Sequence, residues 1–219
     1  MTWENGDYTL PMIEEFSKRA SKHFSIREEV FLKSITQQLE YKANLSWSQE
    51  NWISKIMEKY SPSRIEEEAR WTKNFNEDLR SQALQVARYY QANPPYFSDI
   101  VSRVLGDEKT FTLSLADWTK FCENKYSLKI RDIYKQEPKY KKAECVQIRA
   151  NNKIELANYR DSTPNRQARR REANKVGFVL ETNAKPVTRA AKGSRIYKIL
   201  LSGETSPIYA HEADLKRKR

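Results

Sequence analysis

The chain has 219 residues, 38 % of them hydrophobic and 32 % charged, and a formal net charge of +11. That length fits one large domain or two small ones, and 8 Phe, 12 Tyr and 5 Trp argue against wholesale disorder. No stretch approaches the roughly 18 apolar residues of a membrane span, and Met-Thr-Trp-Glu-Asn-Gly-Asp lacks the basic and apolar regions of a signal peptide, so a soluble cytoplasmic protein with no membrane partner is expected.

The front of the chain reads as helices with clear punctuation. Pro11 opens a first helix with Ile13, Phe16, Ala20 and Phe24 on one side. Ser25 with Glu28, and Ser46 with Gln49, form capping-box patterns ahead of a second and a third helix. The second carries Phe31, Ile35 and Leu39; the third carries Trp52, Ile53, Ile56 and Tyr60 and is ended by Pro62. Ser63 and Glu66 start a fourth helical stretch through Leu79, Val86 and Tyr90, with a break suggested near Asn74–Asn76 and a stop at Asn93-Pro94-Pro95. A fifth helix spans about 96–105, and a sixth runs from Ser114 toward Tyr134.

At an offset of 66, Phe31, Leu39, Trp52 and Lys59-Tyr60-Ser61 recur as Phe97, Leu105, Trp118 and Lys125-Tyr126-Ser127. A duplicated helix hairpin would produce this pattern, and chance matching of six positions is the rival reading.

From about Pro138 the period changes to that of strands. Glu144–Arg149, Val176–Glu181, Arg195–Leu201 and Pro207–Ala210 alternate as four short strands, and Glu212–Leu215 forms a closing turn that packs Leu215 back on the sheet. Gly177, Gly193 and Gly203 fall at bends. The fold class is therefore α+β: a helical domain over 8–136 with about six helices, then a small β-barrel over 138–216 with a basic insertion at 150–175.

Charge is divided in the same way. Residues 1–135 carry 20 Lys and Arg against 20 Asp and Glu, whereas residues 136–219 carry 20 against 9. Excess charge confined to one segment points to a polyanion-binding module on a neutral platform. The candidate phosphate contacts are Arg166, Arg169, Arg170 and Arg171 of the insertion and Lys185, Arg189, Lys192 and Arg195 of the following loop. Arginine matches phosphate oxygens with a planar fork, and clustered cations gain from counterion release. Tyr159, Tyr197 and Tyr209 lie among them as stacking candidates, with half-buried strand positions the alternative for the last two.

Signatures of catalysis are missing from the sequence. His23 and His211 have no Cys, Ser or Asp at a known catalytic spacing, and no Walker loop, dinucleotide fingerprint or metal-spaced Cys/His set is present. An enzyme would require His211 and neighbouring carboxylates to converge in a cleft. Cys122 and Cys145 read as buried free thiols of a reducing compartment. Neither a metal nor a cofactor is expected.

Val30-Phe31-Leu32-Lys33-Ser34-Ile35, followed by Leu45-Ser46-Trp47-Ser48-Gln49-Glu50-Asn51-Trp52-Ile53, resembles a helix–Leu-Ser-x-x-Gln–helix element of small basic proteins of tailed bacteriophages. The tail, Val176–Val179 with Arg195–Ile199 and Ile208–Leu215, is similar to SH3-like barrels, including those of KOW type, although the Gly-rich KOW turn is only partly present. The resemblance implies a phage setting, hence host cytoplasm, and a small barrel. The resulting expectation is a non-enzymatic nucleic-acid-binding accessory protein of phage replication, recombination or transcription, with DNA favoured over RNA and a protein partner on the helical domain. The alternative is an adaptor or inhibitor of host machinery whose basic surface meets an acidic protein.

Overall fold

The computed structural model describes residues 8–154 and 172–218. The chain divides into two compact units, Met1–Lys73 and Asn74–Arg219. The change from helix to strand near residue 137, where sequence alone divides the chain, therefore lies inside the second unit.

The first unit holds α1 (Leu10–Ala20), α2 (Ile26–Glu40), α3 (Trp47–Lys59) and most of α4 (Pro62–Asn74). Both capping boxes form: Ser25 and Glu28 satisfy each other's backbone N–H groups at the start of α2, and Ser46 and Gln49 do the same for α3. Ile13, Phe16 and Ala20 meet Leu32, Ile35, Ile53, Ile56 and Tyr60 in one core. Phe31 and Trp52 stack beside it with ring centroids 3.8 Å apart. Pro62 opens α4, where its missing N–H costs nothing.

In the second unit, α5 (Glu77–Gln91), α6 (Ser98–Gly106), α7 (Leu115–Cys122) and α8 (Lys125–Lys135) precede the sheet. The suggested break falls where Asn76 caps α5 through its side chain to the Leu79 N–H, at 3.0 Å. The sixth helix of the sequence reading is in fact two. Asn124 accepts from the N–H groups of Tyr126 and Ser127, both at 3.1 Å, and so starts a new helix. Eight α-helices are thus present among the described residues, against about six expected. Cys122 is fully buried in α7, and burial pushes its thiol up to about 12; Cys145 is half-buried, and both are free.

The duplicated hairpin does not survive as structure. Tyr60 ends α3 and is 8 % exposed, whereas Tyr126 lies in the first turn of α8 and is 55 % exposed. Phe31 packs on Trp52, but Phe97 packs on Tyr90 and Phe121 instead of on Trp118. Matched letters occupy different places, so the six coincidences carry no common fold.

β1 (Cys145–Ile148), β2 (Val176–Lys185), β3 (Ile196–Leu201), β4 (Ile208–His211) and β5 (Leu215–Arg217) form one antiparallel sheet in the order β4-β3-β2-β1-β5. Register places Cys145 opposite Phe178, Ile148 opposite Leu215 and Val179 opposite Ile199. The inward residues Val146, Ile148, Val179, Tyr197, Ile199, Leu201, Ala210 and Leu215 pack with Tyr140 and Ile154. Register shifts in β2 after Val179 and Glu181 bend that strand. The two edge strands are consecutive in sequence, joined only by the 3₁₀ turn Glu212–Asp214. A link that short makes the sheet curl, yet no β4–β5 ladder forms among the described residues, so the expected barrel is an open curled sheet.

Gly177 shows how closely β2 and β3 approach. A Cβ there would lie 2.4 Å from the Leu200 carbonyl oxygen and 2.9 Å from the Leu201 Cα, space that only glycine leaves free.

Candidate functional site

Three loops meet at one end of the sheet. The first follows β1, where Asn152 is fully buried, its amide donating to the Arg149 carbonyl at 2.8 Å and its Oδ1 accepting from the Ile154 N–H at 3.2 Å. The second precedes β3, and the Ser194 hydroxyl folds it by hydrogen bonding to the carbonyls of Arg189 (2.7 Å) and Ala191 (2.6 Å). The third is the turn between β4 and β5. Gly193, at φ +75°, passes beside this turn, and its carbonyl accepts from the Ala213 N–H at 3.0 Å. The Arg149 N–H reaches the Asp214 carbonyl at 2.8 Å and closes the ring.

The loops enclose a cavity of about 330 Å³ lined by Arg149, Lys153, Arg189, Lys192, His211 and Asp214, among others. The four cationic residues are exposed, whereas His211 and Asp214 are buried. Asp214 Oδ1 accepts from the Lys153 N–H at 2.8 Å. Its Oδ2 is buried and has no hydrogen-bond partner among the described residues. His211 Nδ1 stands 3.6 Å from it, at ion-pair distance and beyond hydrogen-bond reach. The cavity is thus cationic at its mouth, with a buried His211–Asp214 pair in its wall.

A second cavity of about 580 Å³ lies between α8 and the loop before β3. It is larger, but Asp132, Glu137 and Glu212 oppose Lys129, Lys192 and Arg195 there. Balanced charge gives a polyanion no net attraction, so the smaller cavity is the better candidate.

The anticipated contact residues divide into three groups. Arg166, Arg169, Arg170 and Arg171 lie outside the described residues, as does Tyr159. Arg189 and Lys192 reach the cavity mouth; Lys185, at the end of β2, places its Nζ 3.7 Å from the Tyr209 ring centroid. Arg195 does not belong with them. It is 3 % exposed, and its Nη2 donates to the carbonyls of Ile133 and Gln136, the latter at 2.5 Å. There it satisfies the C-terminal end of α8 and complements the helix dipole. Tyr197 is likewise fully buried, with its hydroxyl 2.9 Å from Glu212 Oε2; burial and that carboxylate push its phenol up. It is closed to base stacking.

Sequence reading missed Arg149 and Lys153. Arg149 was read as the end of the first strand and Lys153 as part of the insertion, but the folded module extends to Ile154, which is 2 % exposed. At the other end of the insertion, Lys175 is held by Glu204 at 2.7 Å and Glu172 at 3.1 Å. Near the basic C-terminus, Arg217 lies in β5 and pairs with Glu144 at 2.9 Å.

The pair that chemistry would demand, His211 with a carboxylate in a cleft, is represented by His211 and Asp214, 3.6 Å apart. The Ser194 hydroxyl, the nearby nucleophile, is turned to backbone carbonyls. Among the described residues, no group of three or more His, Cys, Asp or Glu could hold a metal ion, and no helix is long and apolar enough to cross a membrane. Comparison with protein-family models, curated proteins and solved structures finds no match to this chain.

Proposed function

We propose that this is a non-enzymatic nucleic-acid-binding accessory protein whose C-terminal module holds phosphates. The observation that carries this reading is the gathering of Arg149, Lys153, Arg189 and Lys192, from two separated loops, around the mouth of one cavity. Their charge continues in sequence through Arg166, Arg169, Arg170 and Arg171 of the insertion, and Lys185 lies nearby with Tyr209. Phosphate contacts of this kind supply affinity without sequence choice. Within the same proposal, the curled sheet with its 3₁₀ link between edge strands is a variant of an SH3-like barrel. The setting in phage replication, recombination or transcription rests on the resemblance of the α2–α3 segment.

The test is binding of the full chain to single- and double-stranded DNA and RNA across salt concentrations. Replacing Arg149, Lys153, Arg189 and Lys192 by Ala should weaken binding and flatten the salt dependence, by roughly 0.7–0.9 in slope for each phosphate that is no longer neutralised. Unchanged affinity for all the nucleic acids would overturn the assignment of this site. Recovery of intact strands is expected; cleavage would overturn the non-enzymatic part.

A protein partner on the first unit is favoured by a separate observation. Ile26, Val30, Tyr41 and Trp47 are 83 %, 63 %, 85 % and 76 % exposed there, more bare apolar surface than packing requires. A partner retained after nuclease treatment and lost on Trp47→Ala would support that role.

A further inference from the structure

The outer face of the sheet departs from the pattern that strands with one side in water follow. In an antiparallel sheet covered on one face, the positions between core residues are ordinarily polar. Val146, Val179, Ile199 and Leu201 belong to the core, so their neighbours Cys145, Phe178 and Leu200 share the outer face. Register sets these three side by side across β1, β2 and β3, with Cys145 opposite Phe178 and Phe178 opposite Leu200. Cys145 and Leu200 are half-buried, but Phe178 is 54 % exposed, and Leu180, two residues along the same strand, is 37 % exposed. Lone exposed hydrophobic residues are ordinary; an aromatic ring flanked by Cys145, Leu180 and Leu200 is a patch.

Cations stand around this patch. Lys198 lies two residues from Leu200 on the same face, and Lys216 of β5 is opposite Gln147, two residues from Cys145. Lys185 Nζ is held 3.7 Å from the ring centroid of Tyr209, the residue opposite Lys198 in β4. Glu181, opposite Lys198 in β2, is the one acidic residue in the five strands. The face is therefore apolar at its centre and positive around it, and none of these side chains lines the basic cavity. An apolar protein surface matches this poorly, because lysine is depleted from protein interfaces and its charge is costly to bury unpaired. A single strand of nucleic acid matches both features: an unpaired base stacks on an aromatic ring while the phosphates meet lysines. In a duplex the bases are already stacked on one another. We propose that the outer face of the sheet binds a single strand, with one base stacked on Phe178 and backbone phosphates at Lys185, Lys198 and Lys216. The inference rests on the nucleic-acid reading above and adds to it a second contact surface and a preference for unpaired strands.

Binding of oligothymidylate to the full chain is the test, with a blunt duplex of the same length for comparison. Phe178→Ala should weaken single-strand binding at least about fivefold, the lower bound for one base–aromatic stack, and leave the salt slope unchanged because no cation is removed. Phe178→Trp should bind the single strand at least as tightly as the wild type, and duplex affinity should be the same in all three. In the wild type itself, ultraviolet irradiation of the complex should crosslink thymine to Phe178. Wild-type single-strand affinity in Phe178→Ala, an equal loss for the duplex, or crosslinks confined to other residues would overturn the proposal. So would a nuclease-resistant protein partner that Phe178→Ala abolishes while single-strand affinity is unchanged, which would assign the face to protein. If Arg149, Lys153, Arg189 and Lys192 still govern salt-dependent binding in those cases, the function proposed above stands; if the wild type binds no nucleic acid, both fall.

Discussion

Glu28 in the first unit and Asp214 in the second are both buried carboxylates, and their surroundings treat them in opposite ways. Glu28 receives the Ser25 N–H at 2.8 Å, the Ser25 hydroxyl at 2.7 Å, and the Lys59 ammonium and Tyr60 hydroxyl at 2.8 Å each. Burial alone would raise its pKa, but hydrogen bonds from Lys59, Ser25 and Tyr60 outweigh it and hold the carboxyl at about 2. Asp214 accepts the Lys153 N–H on one oxygen, and its other oxygen stands 3.6 Å from His211 Nδ1. A saturated carboxylate ties α2 to the end of α3 and is part of stability. One with a single close donor contributes less. The same contrast separates two arginines six residues apart: Arg195 is buried on the end of α8, and Arg189 is exposed at the cavity mouth.

The largest effect is expected at Arg195. Arg195→Ala strips the carbonyls of Ile133 and Gln136 of their donor inside the fold and should cost about 3 kcal/mol in denaturant unfolding. Arg189→Ala should stay within about 0.5 kcal/mol while weakening nucleic-acid binding. Equal costs would erase the distinction between them.

Like-for-like amide substitutions test the carboxylates. Glu28→Gln gives up the ion pair with Lys59 and faces an ammonium with an amide, for a loss of about 2 kcal/mol. Asp214→Asn retains the acceptor for Lys153 and leaves an amide 3.6 Å from His211 Nδ1 where the carboxylate stood, so less than about 1 kcal/mol is expected. A larger loss at Asp214 would mean that it is structural.

The dependence on pH is smaller and has a fixed sign. Because the folded-state pKa of Glu28 is depressed from 4.5 to about 2, its contribution is fully present above 4.5 and is lost as pH falls through 2. The amount is on the order of 2 kcal/mol, after discount for a Lys59 side chain that is 57 % exposed and screened by solvent. Wild-type stability should fall over that window more steeply than that of Glu28→Gln. Parallel curves would remove Glu28 from the acid transition.

What the sequence made legible was local. Ser25 with Glu28 and Ser46 with Gln49 lie three residues apart, so their capping boxes could be read without knowing the fold. Strand alternation likewise located β1 to β4, and the closing turn with buried Leu215 was visible as the last apolar residue after an acidic turn. Asn124 was missed because a cap inside a helical pattern looks like one more polar surface position. Arg195 was misread because its partners, Ile133 and Gln136, lie 62 and 59 residues away. The cavity was out of reach for the same reason: its walls come from 149–153, 189–194 and 211–214. Charge counting found the right region of the chain, yet only packing separates a cation that meets solvent from one that holds the fold.

Lysine footprinting tests the central claim most directly. Acetylation of the full chain, with and without a single-stranded oligonucleotide, reads the accessibility of each exposed amine. Lys153 and Lys192 at the cavity should be protected by the strand, and Lys18 and Lys55 of the first unit should react as before. Protection of Lys18 and Lys55 with Lys153 and Lys192 unchanged would contradict the account.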